Sequence, residues 1–440
     1  MSESFPRDVD RRRFLLGSLS AVGASVLVSQ ARAAEKVKTK ARIVIAGAGA
    51  AGLASASRFA ERLDGAEIIL IDKRREHFYQ PGFTLIAAGL KPASYSVSHT
   101  ADYVAPGVTL IPEAVAAFDP DSNQVVTESG RKVPYDYLIV ATGLSLDYAA
   151  IEGMDTALIG KEGIGSVYAG PEQAAATYRL MSDYADKGGV GLFFRPATEM
   201  KCAGAPLKYT FITDDVLRKR GNRGKAEIIY AAQNKGFFSV PIVSEKVRML
   251  FEDRDVQPRF DHVMTAIDPG RKIATFATPG GPQELKYDFT NVIPPMRAPA
   301  AVRQSPLAWQ TGPFAKDGWM EVDKSSLRHL RYPDVFGVGD VAGVPKGKTA
   351  ASVKWQVPVA VDHLVAALQG KTSGAVYNGY TSCPLITRIG QAMLVEFDYK
   401  NNLTPSFPGI ISPLEELWIS WVMKELALKP TYLAMLRGKA

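Results

Sequence analysis

Two cysteines, Cys202 and Cys383, make up the whole thiol inventory of this 440-residue chain. Such a pair can be two inert core thiols, a static crosslink or a two-electron redox couple. Cys202 lies in Arg195-Pro-Ala-Thr-Glu-Met-Lys-Cys-Ala-Gly-Ala-Pro206, directly after the apolar run Gly189-Val-Gly-Leu-Phe-Phe194. That run reads as the first strand of a second nucleotide-binding fold, but the glycine turn that should follow it is missing. A cysteine stands there instead, and Cys383 sits in a similar turn-like segment, Tyr380-Thr-Ser-Cys-Pro-Leu385. Thiols in these positions suggest electrons entering through sulfur, since a positive neighbour can stabilise a thiolate there. On the residues alone, all three readings stay open.

The elements that must position these thiols begin with a complete dinucleotide site. Ala41-Arg-Ile-Val-Ile-Ala46 reads as a buried strand, Gly47-Ala-Gly-Ala-Ala-Gly52 as its turn, and Leu53 to Leu63 as a helix. Gly47 permits the tight turn, Gly49 lets backbone approach a pyrophosphate, and Gly52 lets helix pack on strand. The next strand, Glu67-Ile-Ile-Leu-Ile71, ends in Asp72, 20 residues after Gly52 and able to hold ribose hydroxyls. Two further strands end in Ala141-Thr142-Gly143 and in Gly339-Asp340. This ordered set resembles the two-dinucleotide-binding-domain flavoproteins, in which the last Asp holds the ribityl chain, so the resemblance implies FAD.

The middle of the chain departs from nicotinamide-using relatives. No glycine turn follows Gly189–Phe194, and the strand Lys225-Ala-Glu-Ile-Ile-Tyr230 runs into Ala-Ala-Gln-Asn with no ribose-binding carboxylate. Pyrophosphate has no cradle without close backbone approach, so this region is expected to be a Rossmann-like shell without a nicotinamide site.

Seven segments carry a closer likeness. They are His77-Phe-Tyr-Gln-Pro81, Lys201-Cys-Ala-Gly-Ala-Pro206, Pro294-Pro-Met296, Arg331 through Asp340, Lys348-Thr-Ala-Ala351, Tyr380 through Leu385, and Glu396-Phe-Asp-Tyr-Lys400. Together they resemble sulfide:quinone oxidoreductases, nearest the two-cysteine branch typical of mitochondria. The resemblance implies a Cys202/Cys383 disulfide, or a trisulfide with one bridging sulfur. Hydrosulfide would attack at Cys383 and leave a persulfide there, while Cys202 would contact flavin C4a and pass two electrons to FAD. Reduced flavin would hand them to a quinone, and the sulfane sulfur would leave to a second nucleophile. By the same likeness Gln80 borders the cofactor and Lys348 sits at the flavin pyrimidine edge, stabilising its reduced anion; the alternative for Lys348 is a solvated surface lysine. With no third cysteine for a thioether, FAD is expected to be noncovalent. The lack of that cysteine also sets the chain apart from three-cysteine microbial branches and from the flavin subunit of flavocytochrome c sulfide dehydrogenase. A type-II NADH dehydrogenase and a noncatalytic FAD scaffold are the remaining rivals.

The ends of the chain add an address and a surface. Arg11-Arg-Arg-Phe-Leu-Leu16, an apolar stretch and Ala31-Arg32-Ala33 read as a twin-arginine export signal over residues 1–33. That places the protein in the periplasm, on the outer face of a bacterial inner membrane; an uncleaved anchor is the alternative. The five Arg and three acids of residues 1–33 take two charges from the net +7, leaving about +5. So mild an excess gives no argument for nucleic acid. Five histidines (77, 99, 262, 329, 363) lack ligand spacing, so no metal is expected.

Near the C-terminus, Ser412 through Met423 is expected to open a helix with Leu414, Leu417, Trp418, Trp421 and Val422 on one face, interrupted by Pro430. Tryptophans beside lysines suit a helix lying in a membrane interface, although docking on the protein's own core is the alternative. Phe397, Phe407, Trp418 and Trp421 are the aromatic candidates for a quinone pocket.

The expected architecture is α/β, with two Rossmann-like dinucleotide-binding domains and an amphipathic, membrane-associating C-terminal region. The FAD domain is discontinuous, residues 41–150 and 291–375. Residues 151–290 form the second Rossmann-like domain, and 376–440 the quinone and membrane region of a monotopic enzyme. A homo-oligomer is left open.

Overall fold

The computed structural model describes residues 36–440. Strand β1 (Arg42–Ala46) is buried except at Arg42, and helix α1 (Ala50–Arg62) follows it after the glycine turn. Strands β2 (Glu67–Ile71), β3 (Val108–Ile111) and β4 (Tyr137–Val140) continue the first unit. The second unit contains β5 (Ile164–Gly165), α2 (Pro171–Lys187), β6 (Gly189–Phe194), α3 (Ala205–Lys219), β7 (Ala226–Ala232), β8 (Val256–Phe260) and β9 (Phe289–Asn291). The chain then returns to the first unit through β10 (Val335–Gly337) and α4 (Ala350–Leu368). An antiparallel hairpin, β11 (Thr381–Arg388) and β12 (Gln391–Phe397), precedes the C-terminal helices α5 (Trp418–Val422) and α6 (Leu428–Leu436).

Two five-stranded sheets, both parallel, organise the molecule. The first has the order β10-β4-β1-β2-β3 and the second β5-β9-β6-β7-β8. Parallel sheets carry helices on their faces and need strands buried on both sides. The runs Ile-Val-Ile-Ala in β1 and Leu-Phe-Phe in β6 meet that need with completely or almost completely buried side chains. The doubly wound pattern read from the sequence is therefore the one observed.

The C-terminal segment differs from the sequence expectation. Its helix starts at Trp418 rather than near Ser412, because Leu417 is held extended by paired backbone hydrogen bonds with Ala392 (3.0 and 3.2 Å). Nor does Pro430 interrupt it. A wide π turn, Met423–Ala427, joins α5 to α6 and leaves Pro430 in the first turn of α6, where a missing N–H is tolerated. Trp421 is buried whereas Trp418 is 66% exposed, so the two tryptophans do not share an environment.

Helix α6 seats against the first unit. The Tyr432 hydroxyl and His77 Nε2 lie 2.7 Å apart, and Ser57 Oγ donates to the Leu436 carbonyl at 2.8 Å. Burial, with the charge of Arg74, lowers the His77 pKa to about 4, and burial lowers that of His329 to about 4. Between that value and the ordinary 6.5, the unfolded chain binds protons that the folded chain refuses. Stability is thus full above pH 6.5 and falls as pH drops toward 4, by up to about 3 kcal/mol per histidine. Urea midpoints measured from pH 7 down to 4.5 should fall, and His77→Gln with His329→Gln should flatten the slope. A midpoint that is unchanged across this window in the parent protein would refute the assignment.

Candidate active site

The nucleotide cradle is built by the turn after β1. Gly47 adopts φ +105°, and a Cβ on Gly52 would lie 1.7 Å from the Gly47 carbonyl oxygen, so helix and turn can meet only through glycine. A Cβ on Gly49 would meet only Arg74 Nη2, at 3.7 Å, which leaves the approach to the α1 N-terminus open. Asp72 accepts from the Ala48 N–H at 2.7 Å and from Arg74 through its amide and guanidinium. Burial alone would raise its pKa, but Arg74 outweighs burial and holds the carboxyl below its ordinary value. Arg74 is thus a cation beside the phosphate turn that the glycine motif did not reveal.

The flavin end is marked by buried polar atoms with no partner: Thr142 Oγ1, Gln356 Nε2 and Tyr79 Oη. Leaving such a group unpaired costs about 1–3 kcal/mol, so these atoms suit a polar ligand. Gln356 also accepts from the Gly339 N–H at 2.7 Å, and Gly143 and Gly339 both adopt positive φ (+70° and +79°). Asp340 is raised by burial, opposed by Lys201 and Lys348. The open glycine turn, the unpaired polar atoms and the Asp72 and Asp340 carboxylates fit an FAD.

Lys348 is a buried residue and not a solvated one. Its ammonium donates to the carbonyls of Asp340 (2.7 Å) and Ala342 (2.9 Å) and lies 3.7 Å from the Trp319 ring centroid. Burial brings its pKa down to about 8, against the pull of Asp340. Gln80 accepts from Lys201 Nζ at 2.6 Å, which ties its loop to the residue before Cys202.

The fold brings the two cysteines together from distant elements. Cys202 ends the loop between β6 and α3, and Cys383 is a buried residue of β11. Both cysteines are free, and they lie close enough that each shifts the other's proton affinity. The Cys383 sulfur lies 2.3 Å from where a Cβ on Gly204 would stand, so only glycine leaves room for it.

Two lysines that the sequence reading did not assign to the site complete it. Lys208, buried in the first turns of α3, donates to Cys202 Sγ at 3.5 Å, and Lys424 is buried on the C-terminal segment. Cys202 is drawn well below the ordinary thiol pKa, first by the Cys383 thiol donating to it and then, against burial, by the charges of Lys208 and Lys424. Cys383, as donor and as a buried group, is pushed up. One thiolate, on Cys202, is the charge state this geometry favours. Lys208 had a legible signal, six residues after Cys202 at the start of a helix; Lys424 had none.

The four aromatic candidates do not form one cluster. Phe397 is buried against Phe238 (ring centroids 5.6 Å apart) beneath Lys346, Trp421 is buried, and Phe407 and Trp418 lie on the surface. No ring–ring contact joins any two of them among the described residues.

Comparison with known proteins identifies the family. The pyridine nucleotide-disulphide oxidoreductase family model matches residues 41–177. The mitochondrial sulfide:quinone oxidoreductase of Dictyostelium discoideum is 33% identical over 95% of this chain and 90% of its own. That of Mus musculus is 34% identical over 84% and 81%. The solved sulfide:quinone oxidoreductase of Aquifex aeolicus shares the fold, with a TM-score of 0.72 at 21% identity over 91% of this chain and 92% of that one.

These relatives overturn the expected periplasmic address. Both curated proteins are mitochondrial, not periplasmic, and the twin-arginine segment lies outside the described residues. Likeness of this extent, at 33% and 34% identity over most of the chain, places the protein in the sulfide:quinone oxidoreductase family.

Proposed function

We infer that this chain is a sulfide:quinone oxidoreductase that takes electrons from sulfide through Cys202 and Cys383. The observation that carries this reading is the meeting of the two thiols, from β11 and the β6–α3 loop, under the Lys208 ammonium. In the oxidised pair, hydrosulfide attacks Cys383; the disulfide bond breaks, a persulfide forms on Cys383, and Cys202 leaves as a thiolate. Lys208 stabilises that thiolate as it forms, which lowers the barrier to its departure. A second nucleophile then removes the sulfane sulfur and leaves Cys383 as a thiolate. Closure of the pair to a disulfide releases two electrons. FAD, when bound, supplies the two-electron relay that accepts them and passes them to quinone. Both thiols are committed to this cycle, so FAD is held noncovalently by the glycine turn, Asp72, Thr142, Gly339 and Asp340.

The Tyr168 hydroxyl donates to the carbonyls of Lys201 and Cys202, both at 3.1 Å, and the Cys202 N–H donates to the Lys348 carbonyl at 2.9 Å. These contacts hold the Cys202 backbone, with φ +49°, facing the FAD-domain loop that carries Lys348. Cys202→Ser and Cys383→Ser should each keep their flavin absorbance but lose anaerobic bleaching by sulfide, by about 100-fold or more in rate. Parental bleaching in either variant would remove the cysteine mechanism.

The quinone side and the membrane are read from the C-terminal surface. Trp418, Ile419 and Leu426 are 66%, 43% and 62% exposed, and Ile410 is 81% exposed. Among the described residues no helix is long and apolar enough to cross a membrane. An amphipathic element with outward tryptophan and isoleucine suits the interface of a bilayer that holds quinone. Flotation with phospholipid vesicles should carry the parent protein upward, and Trp418→Ser with Ile419→Ser should leave most of it behind. Equal flotation of both would show that this surface is not the one that meets lipid.

A further inference from the structure

Lys424 belongs to the C-terminal segment, yet its side chain points away from the surface that the segment presents. Trp418, Ile419 and Leu426 face outward, while Lys424 is only 3% exposed. Its ammonium donates to the Pro81 carbonyl at 2.5 Å. Pro81 follows Gln80, the residue that accepts from Lys201 beside Cys202. The π turn Met423–Ala427 gives Lys424 this direction, and such turns in helices are frequent at functional sites.

The segment is pinned just beyond the lysine. Glu425 pairs with Lys91 at 3.0 Å, Lys429 donates to the Tyr95 carbonyl at 2.5 Å, and Tyr432 contacts His77. Three donors on a buried ammonium with one carbonyl acceptor leave charge to be answered by something else, and the sulfur pair is within its electrostatic reach.

We propose that Lys424 is a charge-stabilising residue of the sulfur site, and that it makes the reactivity of Cys202 conditional on a seated C-terminal segment. The proposal rests on the reading of Cys202 and Cys383 as the redox pair. Cys202 is faced by Lys208 and Lys201 from its own loop and helix, Tyr168 from the segment before α2, Cys383 from β11, Asp340 from the first unit, and Lys424 from the C-terminal segment. Of the cations, Lys424 alone arrives on an element that contributes nothing else to the sulfur site. A segment that lifts away takes the charge with it and leaves Lys208 to hold the thiolate. Burial, and after it the charge of Lys208, depress the Lys424 pKa to about 7. Its charge is therefore complete below that pH and fades above it.

The test is iodoacetamide alkylation of Cys202 in the reduced holoenzyme, followed by mass spectrometry across pH 5 to 10. In Lys424→Met the midpoint of alkylation should rise by about one pH unit or more, with rates slower than the parent at low pH and converging with it at high pH. Lys424→Arg should restore most of the parental midpoint. Loosened packing alone would speed alkylation at every pH instead, and that pattern, or an unshifted midpoint, overturns the proposal. Flavin content and melting temperature of each variant identify one that has failed to fold, in which case the Arg variant's midpoint against the parent decides. Should Lys424→Met leave the midpoint in place while Cys202→Ser still abolishes bleaching by sulfide, the Lys424 role falls and the redox pair stands. Should Cys202→Ser bleach normally, both fall.

Discussion

A buried ammonium must find an opposing charge, and here two of them, Lys208 and Lys424, close on two sulfur atoms. Taking an unpaired cation out of water costs several kcal/mol even after relaxation. The lysines and the thiol pair therefore constrain one another: without a thiolate the cations are unmatched, and without the cations only Cys383 is left to favour the Cys202 thiolate against burial. Lys208 keeps a raised pKa, in spite of burial, because the sulfurs lie beside it, while Lys424, with Lys208 as a neighbour, is pushed down. That asymmetry makes Lys208 the permanent partner of Cys202 and Lys424 the adjustable one.

The backbone at Cys202 carries a cost of its own. A non-glycine residue at φ +49° lies in the left-handed region, a strain of order 1 kcal/mol that persists only where its surroundings impose it. Three hydrogen bonds impose it here, from the Cys202 N–H to Lys348 and from Tyr168 to the carbonyls of Lys201 and Cys202, on either side of the Cys202 Cα. A glycine would take the turn more cheaply but would bring no sulfur. The same loop needs Gly204 where the Cys383 sulfur approaches, so one turn combines a strained reactive residue with an obligatory gap.

How much of this the sequence revealed depends on the distance along the chain over which each feature is encoded. The β1–Gly47–Gly52–α1 unit is local, and its turn, strand and closing Asp72 were readable because periodicity and glycine spacing act within some thirty residues. The loss of a glycine turn after β6 was readable for the same reason. The start of the C-terminal helix was not. Periodicity favoured a helix from Ser412, but the Leu417–Ala392 pairing, a tertiary contact, overrode it. Lys424 escaped because it acts on neighbours distant in sequence, and Arg74, two residues after Asp72, because a lone basic residue carries no spacing to recognise. The periplasmic address failed differently: a short charged and apolar pattern was set against relatives that match most of the chain and are mitochondrial.

The C-terminal segment joins the parts that the two sheets leave separate. At its start Glu416 pairs with Arg254, a buried residue that follows the helix before β8 and that also stacks on Phe211 of α3, the helix that carries Lys208. At its end, Tyr432, Ser57 and Arg58 fasten it to the first unit and to α1, which the glycine turn opens. Between these anchors it turns apolar side chains outward and Lys424 inward. The segment is therefore braced against the helix that supplies one cation of the sulfur site while itself supplying another. Movement at its outer face has to act on both anchors or bend the π turn, a feature that recurs at functional sites in helices. The π turn, Met423–Ala427, is the one stretch between these anchors that also carries Lys424.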